Sequence, residues 1–290
     1  MPSTVKDIVK TIRKELSALY SSHEAFQMAW LIFEHLYGWS KTELLLNDNT
    51  KLTDSDYLFV QKALERLKKR EPIQYILGKT EFYGLPIRVN PSVLIPRPET
   101  EELVEWTIQS AWESGSMAPA ILDIGTGSGC IAIALAKALP NASVFAWDVS
   151  EEALKTASDN AQINGVKVNF EQKNILSPAL LNIEHKWDII VSNPPYVRES
   201  EKKLIQPHVL DYEPHLALFV EDSDPLIFYR AITLFAQKKL TQQGNLFFEI
   251  NSAFGEEVKN LLTEYGFDKI ELRHDLSGKC RMVKARKPLV

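Results

Sequence analysis

Asn193-Pro194-Pro195-Tyr196 follows the apolar run 187–192, which reads as a buried strand of a parallel sheet. The tetrapeptide therefore stands just past the carboxyl end of a strand, where open α/β sheets place their ligands. Two consecutive prolines fix φ twice and supply no backbone N–H, so they make a stiff turn that presents carbonyls and side chains. Asn193 brings an amide oxygen, Pro194 a backbone carbonyl and Tyr196 a flat aromatic face. Two acceptors beneath an aromatic ring suit a planar group carrying an NH2. The plainer alternative is a Pro-rich turn with an ordinary Asn.

A second group of residues lies upstream. Gly125-Thr126-Gly127-Ser128-Gly129 joins an expected strand at 120–124 to an expected helix at 130–139. Glycines there let the backbone turn tightly and approach a ligand, and the helix start adds unpaired N–H donors. A dinucleotide fingerprint needs Gly-x-Gly-x-x-Gly. Here the third glycine comes one position early, with Cys130 in the place the fingerprint keeps for glycine, which argues against a nicotinamide oxidoreductase. Asp148 ends the next strand, where a carboxylate accepts both ribose hydroxyls; its alternative role is to cap the helix near Glu151, in competition with Ser150. Asn174 and Ile175, after the third strand, stand where an adenine ring would be read, though Asn174 is equally a turn former.

These groups need a framework, and the chain supplies one by alternating strand and helix after residue 119. Strands are expected at 120–124, 143–148, 167–172, 187–192, 245–250, 268–273 and 280–285, with helices at 130–139, 151–164, 225–240 and 256–265. That pattern means a doubly wound, mostly parallel sheet, its last two strands too close for a helical crossover, so that one runs antiparallel. Before residue 70 the periodicity is helical instead. Val5, Ile8, Val9, Ile12, Leu16 and Leu19 form one stripe, Ser22 is placed to cap a second helix ending at Gly38, a short helix fits 41–46, and Thr53 with Asp56 caps a further long helix. Between these regions, 74–78 and 85–89 read as two strands around Glu81-Phe82-Tyr83-Gly84. The expected organisation is a helical domain over 1–72, a β-hairpin linker over 73–98 and an α/β domain over 99–290. Pro98 suits the first turn of a helix, and the glutamates behind it suit the positive end of its dipole.

Bulk composition narrows the classes. The 290 residues are 45% hydrophobic and 24% charged, with mean hydropathy −0.16, and include no eighteen-residue apolar run, so no membrane span is expected. Met1–Asp7 has no apolar signal-peptide core. Cys130 and Cys280 form neither a metal-like spacing nor a disulfide framework, which suits a reducing cytoplasm. His208 and His215 have no partner at a metal-ligating spacing, and no metal is expected. Net charge is −5. The first 70 residues hold eleven basic and nine acidic side chains, a net +2 that is thin for a nucleic-acid-binding face.

In this order, the glycine turn, Asp148 and Asn193-Pro194-Pro195-Tyr196 resemble a class I (Rossmann-like) S-adenosylmethionine-dependent methyltransferase acting on planar nitrogens. Leu94-Ile95-Pro96-Arg97-Pro98-Glu99-Thr100-Glu101 resembles the linker signature of the HemK/PrmC family of peptide chain release factor glutamine methyltransferases. So do Glu71-Pro72-Ile73-Gln74-Tyr75-Ile76-Leu77-Gly78 and Asp275-Leu276-Ser277-Gly278-Lys279-Cys280-Arg281. One departure is Asn174, where the family more often carries Asp. The resemblance implies S-adenosyl-L-methionine as methyl donor and S-adenosyl-L-homocysteine as product. It further implies that the acceptor is the glutamine of a Gly-Gly-Gln motif in release factors, which the helical domain helps to hold, with a monomeric enzyme and no nucleic-acid substrate. Gly125, Thr126, Gly127, Ser128, Gly129, Asp148, Asn174, Ile175 and Asn193 would then hold the donor. Asn193, Pro194, Pro195 and Tyr196 would hold the glutamine amide, with Asn193 and Pro194 accepting its N–H groups and Tyr196 packing on its plane. The rivals are an adenine-amine methyltransferase using the same box on a flipped base, and a binding module that has lost catalysis.

Overall fold

The structure, a computed structural model, describes residues 4–289; the first three residues of the stretch read as lacking a signal peptide lie outside them. The chain forms two compact units. One holds the residues up to Lys79 together with Gln206–Tyr212, and the other holds Thr80–Ile205 together with Glu213 onward.

The first unit is helical: α1 (Val5–Leu16), α2 (Ser22–Tyr37), α3 (Lys41–Leu46), α4 (Asp54–Lys68) and α5 (Ile73–Leu77). Four residues of the expected stripe, Val5, Ile8, Ile12 and Leu16, are buried in its core with Ala29, Ile32, Phe33 and Leu67, while Val9 is partly buried against it and Leu19 falls beyond the end of α1. The cap of α2 is Ser21 rather than Ser22, because only Ser21 has a glutamate three residues on: its hydroxyl accepts from Glu24 N, and the Glu24 carboxylate accepts from Ser21 N. Gly38 ends α2 at φ +72°, and Thr53 Oγ1 accepts from Asp56 N to start α4. The expected strand at 74–78 is instead helix α5. Pro72 precedes it and Gly78, at φ +70°, closes it, so these two residues bound a single helical turn rather than a strand. A short helix from later in the chain, Pro207–Tyr212 (α9 in chain order), also belongs to this unit, and the Tyr212 hydroxyl donates to the Lys69 carbonyl at 2.8 Å.

The second unit opens with a hairpin, β1 (Lys79–Phe82) and β2 (Leu85–Arg88), turned by Tyr83 at φ +52° and Gly84 at φ +70°. Two successive left-handed residues are what a two-residue hairpin turn requires. Helix α6 (Pro98–Glu113) holds Tyr83 in that conformation: Glu101 accepts from its backbone N–H at 2.7 Å, and Glu105 accepts from its hydroxyl. As expected, Pro98 occupies the first turn of α6, together with Glu99 and Glu101.

The main sheet has seven strands: β3 (Ala120–Ile124), β4 (Ser143–Asp148), β5 (Asn169–Gln172), β6 (Trp187–Ser192), β9 (Leu240–Glu249), β10 (Asp268–His274) and β11 (Cys280–Arg286). Two-residue strands β7 (Val197–Arg198) and β8 (Phe219–Val220) pair separately. The order is β10-β11-β9-β6-β3-β4-β5, parallel except for β11, which runs antiparallel to both neighbours. Helices α7 (Cys130–Ala138), α8 (Glu151–Asn164), α10 (Ile227–Lys239) and α11 (Gly255–Glu264) supply the crossovers. Trp147, Trp187 and Phe235 meet at 5.3–5.6 Å between ring centroids in a core that includes Leu122, Ile190 and Phe248. The order reverses between β3 and β6, so a crevice opens at their carboxyl ends.

Register decides what lines that crevice. Ile124 pairs with Trp147 and with Ser192, and Ser192 pairs with Phe248. The next residue of each strand therefore falls in one row along the lip of the sheet: Gly125, Asp148, Asn193 and Glu249.

Candidate active site

A cavity of about 320 Å³ sits on that lip. Gly125, Thr126, Gly127, Ser128, Asp148, Asn174, Ile175, Asn193, Pro194 and Pro195 all line it. Gly129 and Tyr196 do not.

The glycine turn is held from both sides. Gly125 N and Thr126 N donate to the Trp147 carbonyl at 2.8 and 3.0 Å, and Gly127 N donates to Asp148 Oδ2 at 2.8 Å. Gly129 has a different task. At φ +81° it precedes α7, and a Cβ there would stand 2.9 Å from Ala157 Cβ and 3.2 Å from Ala157 Cα. It is the contact point between the start of α7 and the flank of α8. The Ser128 carbonyl accepts from Asn160 Nδ2, which also donates to the Arg88 carbonyl, both at 2.9 Å, while Asn160 Oδ1 accepts from Arg88 N at 2.7 Å. One buried amide thus ties the turn to β2.

Asp148 does not cap α8; Ser150 does, accepting from Ala153 N. Asp148 instead takes the Ser150 and Gly127 N–H groups, one on each oxygen, which leaves lone pairs on both oxygens for a vicinal diol in the cavity. Beneath the turn, Asp123 is fully buried, and Thr126 Oγ1 donates to its Oδ2 at 2.6 Å. Burial pushes its carboxyl up to about 7, with the Asp148 charge adding to the effect. Burial also raises the Cys130 thiol to about 12, so it stays protonated. Asn174 Oδ1 accepts from Leu176 N at 3.0 Å, so the residue forms a local turn while lining the cavity.

Around Asn193 the polar groups form a chain. Asn193 Nδ2 donates to Thr100 Oγ1 at 3.3 Å, Thr100 Oγ1 donates to Glu249 Oε2 at 2.6 Å, and the Tyr196 hydroxyl donates to Glu249 Oε1 at 3.0 Å. The ring of Tyr196 packs against the core below the sheet's lip. Glu249 is 2% exposed. Its burial raises its pKa, and the bonds from Thr100 and Tyr196 and the Arg281 charge pull it back. Arg281 is in turn held by Asp275 at 3.3 Å, in the turn of the Asp275–Arg281 signature. Arg97 pairs with Glu213 at 2.6 Å, and Glu213 also accepts from Ile95 N. His215 packs edge-on against Phe219. Among the described residues, no cluster of three His, Cys, Asp or Glu could hold a metal ion, and no helix is long and apolar enough to cross a membrane.

Sequence reasoning missed Asn160, Glu213 and the Thr100–Glu249 pair. Thr100 lies in the Leu94–Glu101 signature and Glu249 in the strand expected at 245–250, but they are 149 residues apart, and no local spacing announces such a pair.

Residues 7–78 match the family described as PrmC N-terminal domain, and 108–212 match the Methyltransferase small domain. A release factor glutamine methyltransferase of Flavobacterium psychrophilum is 52% identical over 270 residues, 93% of this chain and 94% of that one. Its counterpart from Bacteroides thetaiotaomicron is 41% identical over 97% of this chain and 99% of its own length. Among solved structures, a methyltransferase from Pyrococcus furiosus has the same fold, with a TM-score of 0.52 over 82% of this chain and all of that one, at 17% identity. Matched over nearly its whole length by relatives of this identity, with a glycine turn, an acidic strand end and an Asn-Pro-Pro turn gathered on one sheet edge, the chain belongs to the release factor glutamine methyltransferase family.

Proposed function

We propose that this chain transfers a methyl group from S-adenosyl-L-methionine to the side-chain amide nitrogen of the glutamine in the Gly-Gly-Gln motif of peptide chain release factors. The observation that carries this reading is the common lip of the sheet, where the Asn193-Pro194 turn and the glycine turn with Asp148 line one cavity. The names of the relatives point to the same acceptor. The cradle fits the donor: a Cβ at Gly125 or Gly127 would meet nothing within 4 Å, so backbone is laid bare there, and Asp148 stands where ribose hydroxyls need acceptors. Asn174 and Ile175 then flank the adenine. When bound, S-adenosyl-L-methionine supplies an electrophilic methyl on a sulfonium and is released as S-adenosyl-L-homocysteine.

The residues do the rest by placement. A carboxamide nitrogen is a poor nucleophile because its lone pair is delocalised into the carbonyl. Asn193 Oδ1 and the Pro194 carbonyl accept its two N–H groups, which orients the amide and stabilises the positive charge that grows on nitrogen. The excess proton leaves to water. Pro195 and Tyr196 keep the turn rigid, Tyr196 through its bond to Glu249. The helical domain holds the body of the factor, and its exposed Leu45, Leu46, Tyr57 and Leu58 offer apolar contact. We place the reaction in the cytoplasm, where Cys130 and Cys280 remain free thiols, and assign it to a monomer.

The test incubates the enzyme with labelled S-adenosyl-L-methionine and either a release factor or nucleic acid. Label should enter the factor and vanish when its Gly-Gly-Gln glutamine is replaced by alanine. Label in nucleic acid alone overturns the assignment.

A further inference from the structure

An asparagine amide can present either its oxygen or its NH2, and the two are opposite in hydrogen-bonding sense. For Asn193 the choice decides whether the cavity sees an acceptor or a donor. We infer that Thr100 and Glu249 are positioning residues that fix the side-chain amide of Asn193 with its oxygen toward the substrate. This rests on the proposed glutamine acceptor, whose N–H groups need that oxygen.

The argument is a count of protons. The Thr100 hydroxyl carries one hydrogen. Glu249 accepts on both oxygens, from Thr100 at 2.6 Å and from the Tyr196 hydroxyl at 3.0 Å, so that hydrogen is spent on Glu249. Thr100 Oγ1 is then an acceptor toward its other neighbour, Asn193, 3.3 Å away. Only the NH2 of Asn193 can donate to it, and the oxygen is left for the cavity that Asn193 lines. The Tyr196 hydroxyl likewise spends its hydrogen on Glu249 Oε1. Its own backbone carbonyl accepts from Asn251 Nδ2 at 3.2 Å, so the Pro-Pro turn is tied down just beyond Asn193. Both the carboxylate and Thr100 are buried, 2% exposed each, so water does not compete for these bonds. The sheet register supplies the proximity, because Asn193 and Glu249 each follow a paired residue, Ser192 and Phe248, on adjacent parallel strands.

Glu249→Gln makes the sharpest perturbation. A glutamine keeps the shape but can donate to Thr100, which frees the threonine hydrogen to point at Asn193 and lets the amide reverse. Thr100→Val removes the hydroxyl at nearly constant volume. Both variants should lose about a hundredfold in kcat for release-factor methylation, the scale of a misoriented reacting group, with KM for the factor and the affinity for S-adenosyl-L-methionine within about threefold of wild type. Thr100→Ser, which keeps the hydroxyl, should recover to within about fivefold. The double variant should fall no further than the worse single one, since both act through one amide. Wild-type kcat in Thr100→Val, or equal losses in Thr100→Ser and Thr100→Val, overturns the inference. A wild-type enzyme inactive on release factors overturns the acceptor assignment instead. The orientation is then read from the Asn193 side-chain amide protons in 15N-labelled protein, whose solvent exchange should quicken about tenfold in Thr100→Val. Unchanged exchange refutes it.

Discussion

Two glycines of one turn, 129 and 127, should fail for different reasons when replaced by alanine. Both sit at left-handed φ, +81° and +54°, which costs an L-residue about 1–2 kcal/mol. At Gly127 nothing stands within 4 Å of the added methyl, whereas at Gly129 the methyl meets Ala157 Cβ at 2.9 Å, Ile133 Cδ1 at 3.0 Å and Ala157 Cα at 3.2 Å. The isoleucine tip can rotate away, but the Ala157 backbone cannot, so α8 must move off α7. Overpacking of this kind costs a further ~1–3 kcal/mol. Gly129→Ala should therefore lose about 2–5 kcal/mol of unfolding free energy, and Gly127→Ala about 1–2 kcal/mol. Urea denaturation followed by circular dichroism measures both. In calorimetric titration the ranking should reverse: Gly127 lines the cavity, and its methyl should weaken S-adenosyl-L-methionine binding by about tenfold, worth ~1.4 kcal/mol. Equal stability losses for the two variants would refute the close-packing role assigned to Gly129.

Asn193→Ala should lower kcat on a release factor by about a hundredfold or more, the usual scale for losing a group that stabilises developing charge; near wild-type turnover would end the mechanism. Asn160→Ala leaves three backbone groups without partners, at roughly 0.5–1.5 kcal/mol each, so its denaturation midpoint should drop by the equivalent of about 2–4 kcal/mol and donor affinity should fall with it. Asp123 should make stability depend on pH. Its carboxyl is raised from 3.8 to about 7 in the fold, so the folded chain holds this proton longer than the unfolded chain does. Its contribution is therefore intact below about pH 4 and lost as pH rises to 7, amounting to something on the order of 4 kcal/mol. Asp123→Asn should flatten stability between pH 4 and 7, as read by thermal melts; an unchanged pH profile would discount the buried charge.

The sheet was legible because alternation of apolar strands with amphipathic helices leaves few topologies, and the structure's strand bounds mostly fall within two residues of the expected ones. The longest discrepancy is β9, which begins at Leu240 rather than 245. The glycine turn and Asp148 were legible because a tight turn and a carboxylate at a strand end have local signatures. Residues 74–78 were misread because a short apolar run fits strand and helix equally well; Pro72 and Gly78 were the punctuation that decided it. Helix α9 escaped notice because its six residues show no periodicity. Tyr196 showed an aromatic face to the sequence reading, but its hydroxyl is bound to a glutamate 53 residues away. Thr100, Asn160, Glu213 and Glu249 belong to the same class: each acts through a partner that only the folded topology brings near, and burial of the pair is what gives the bond its strength.

The helix Pro207–Tyr212 has a consequence for how the protein is made. Its packing partners, including the Lys69 carbonyl, belong to the first helices of the chain. Domains generally fold as units in the order they leave the ribosome, yet this amino-terminal unit is finished only when Tyr212 emerges, after four strands of the sheet have been synthesised. Neither unit is therefore a simple block of sequence. The helical unit must wait, incomplete, for a piece cut from the middle of its neighbour, and a fragment beginning at Thr80 would carry that piece with nothing to receive it.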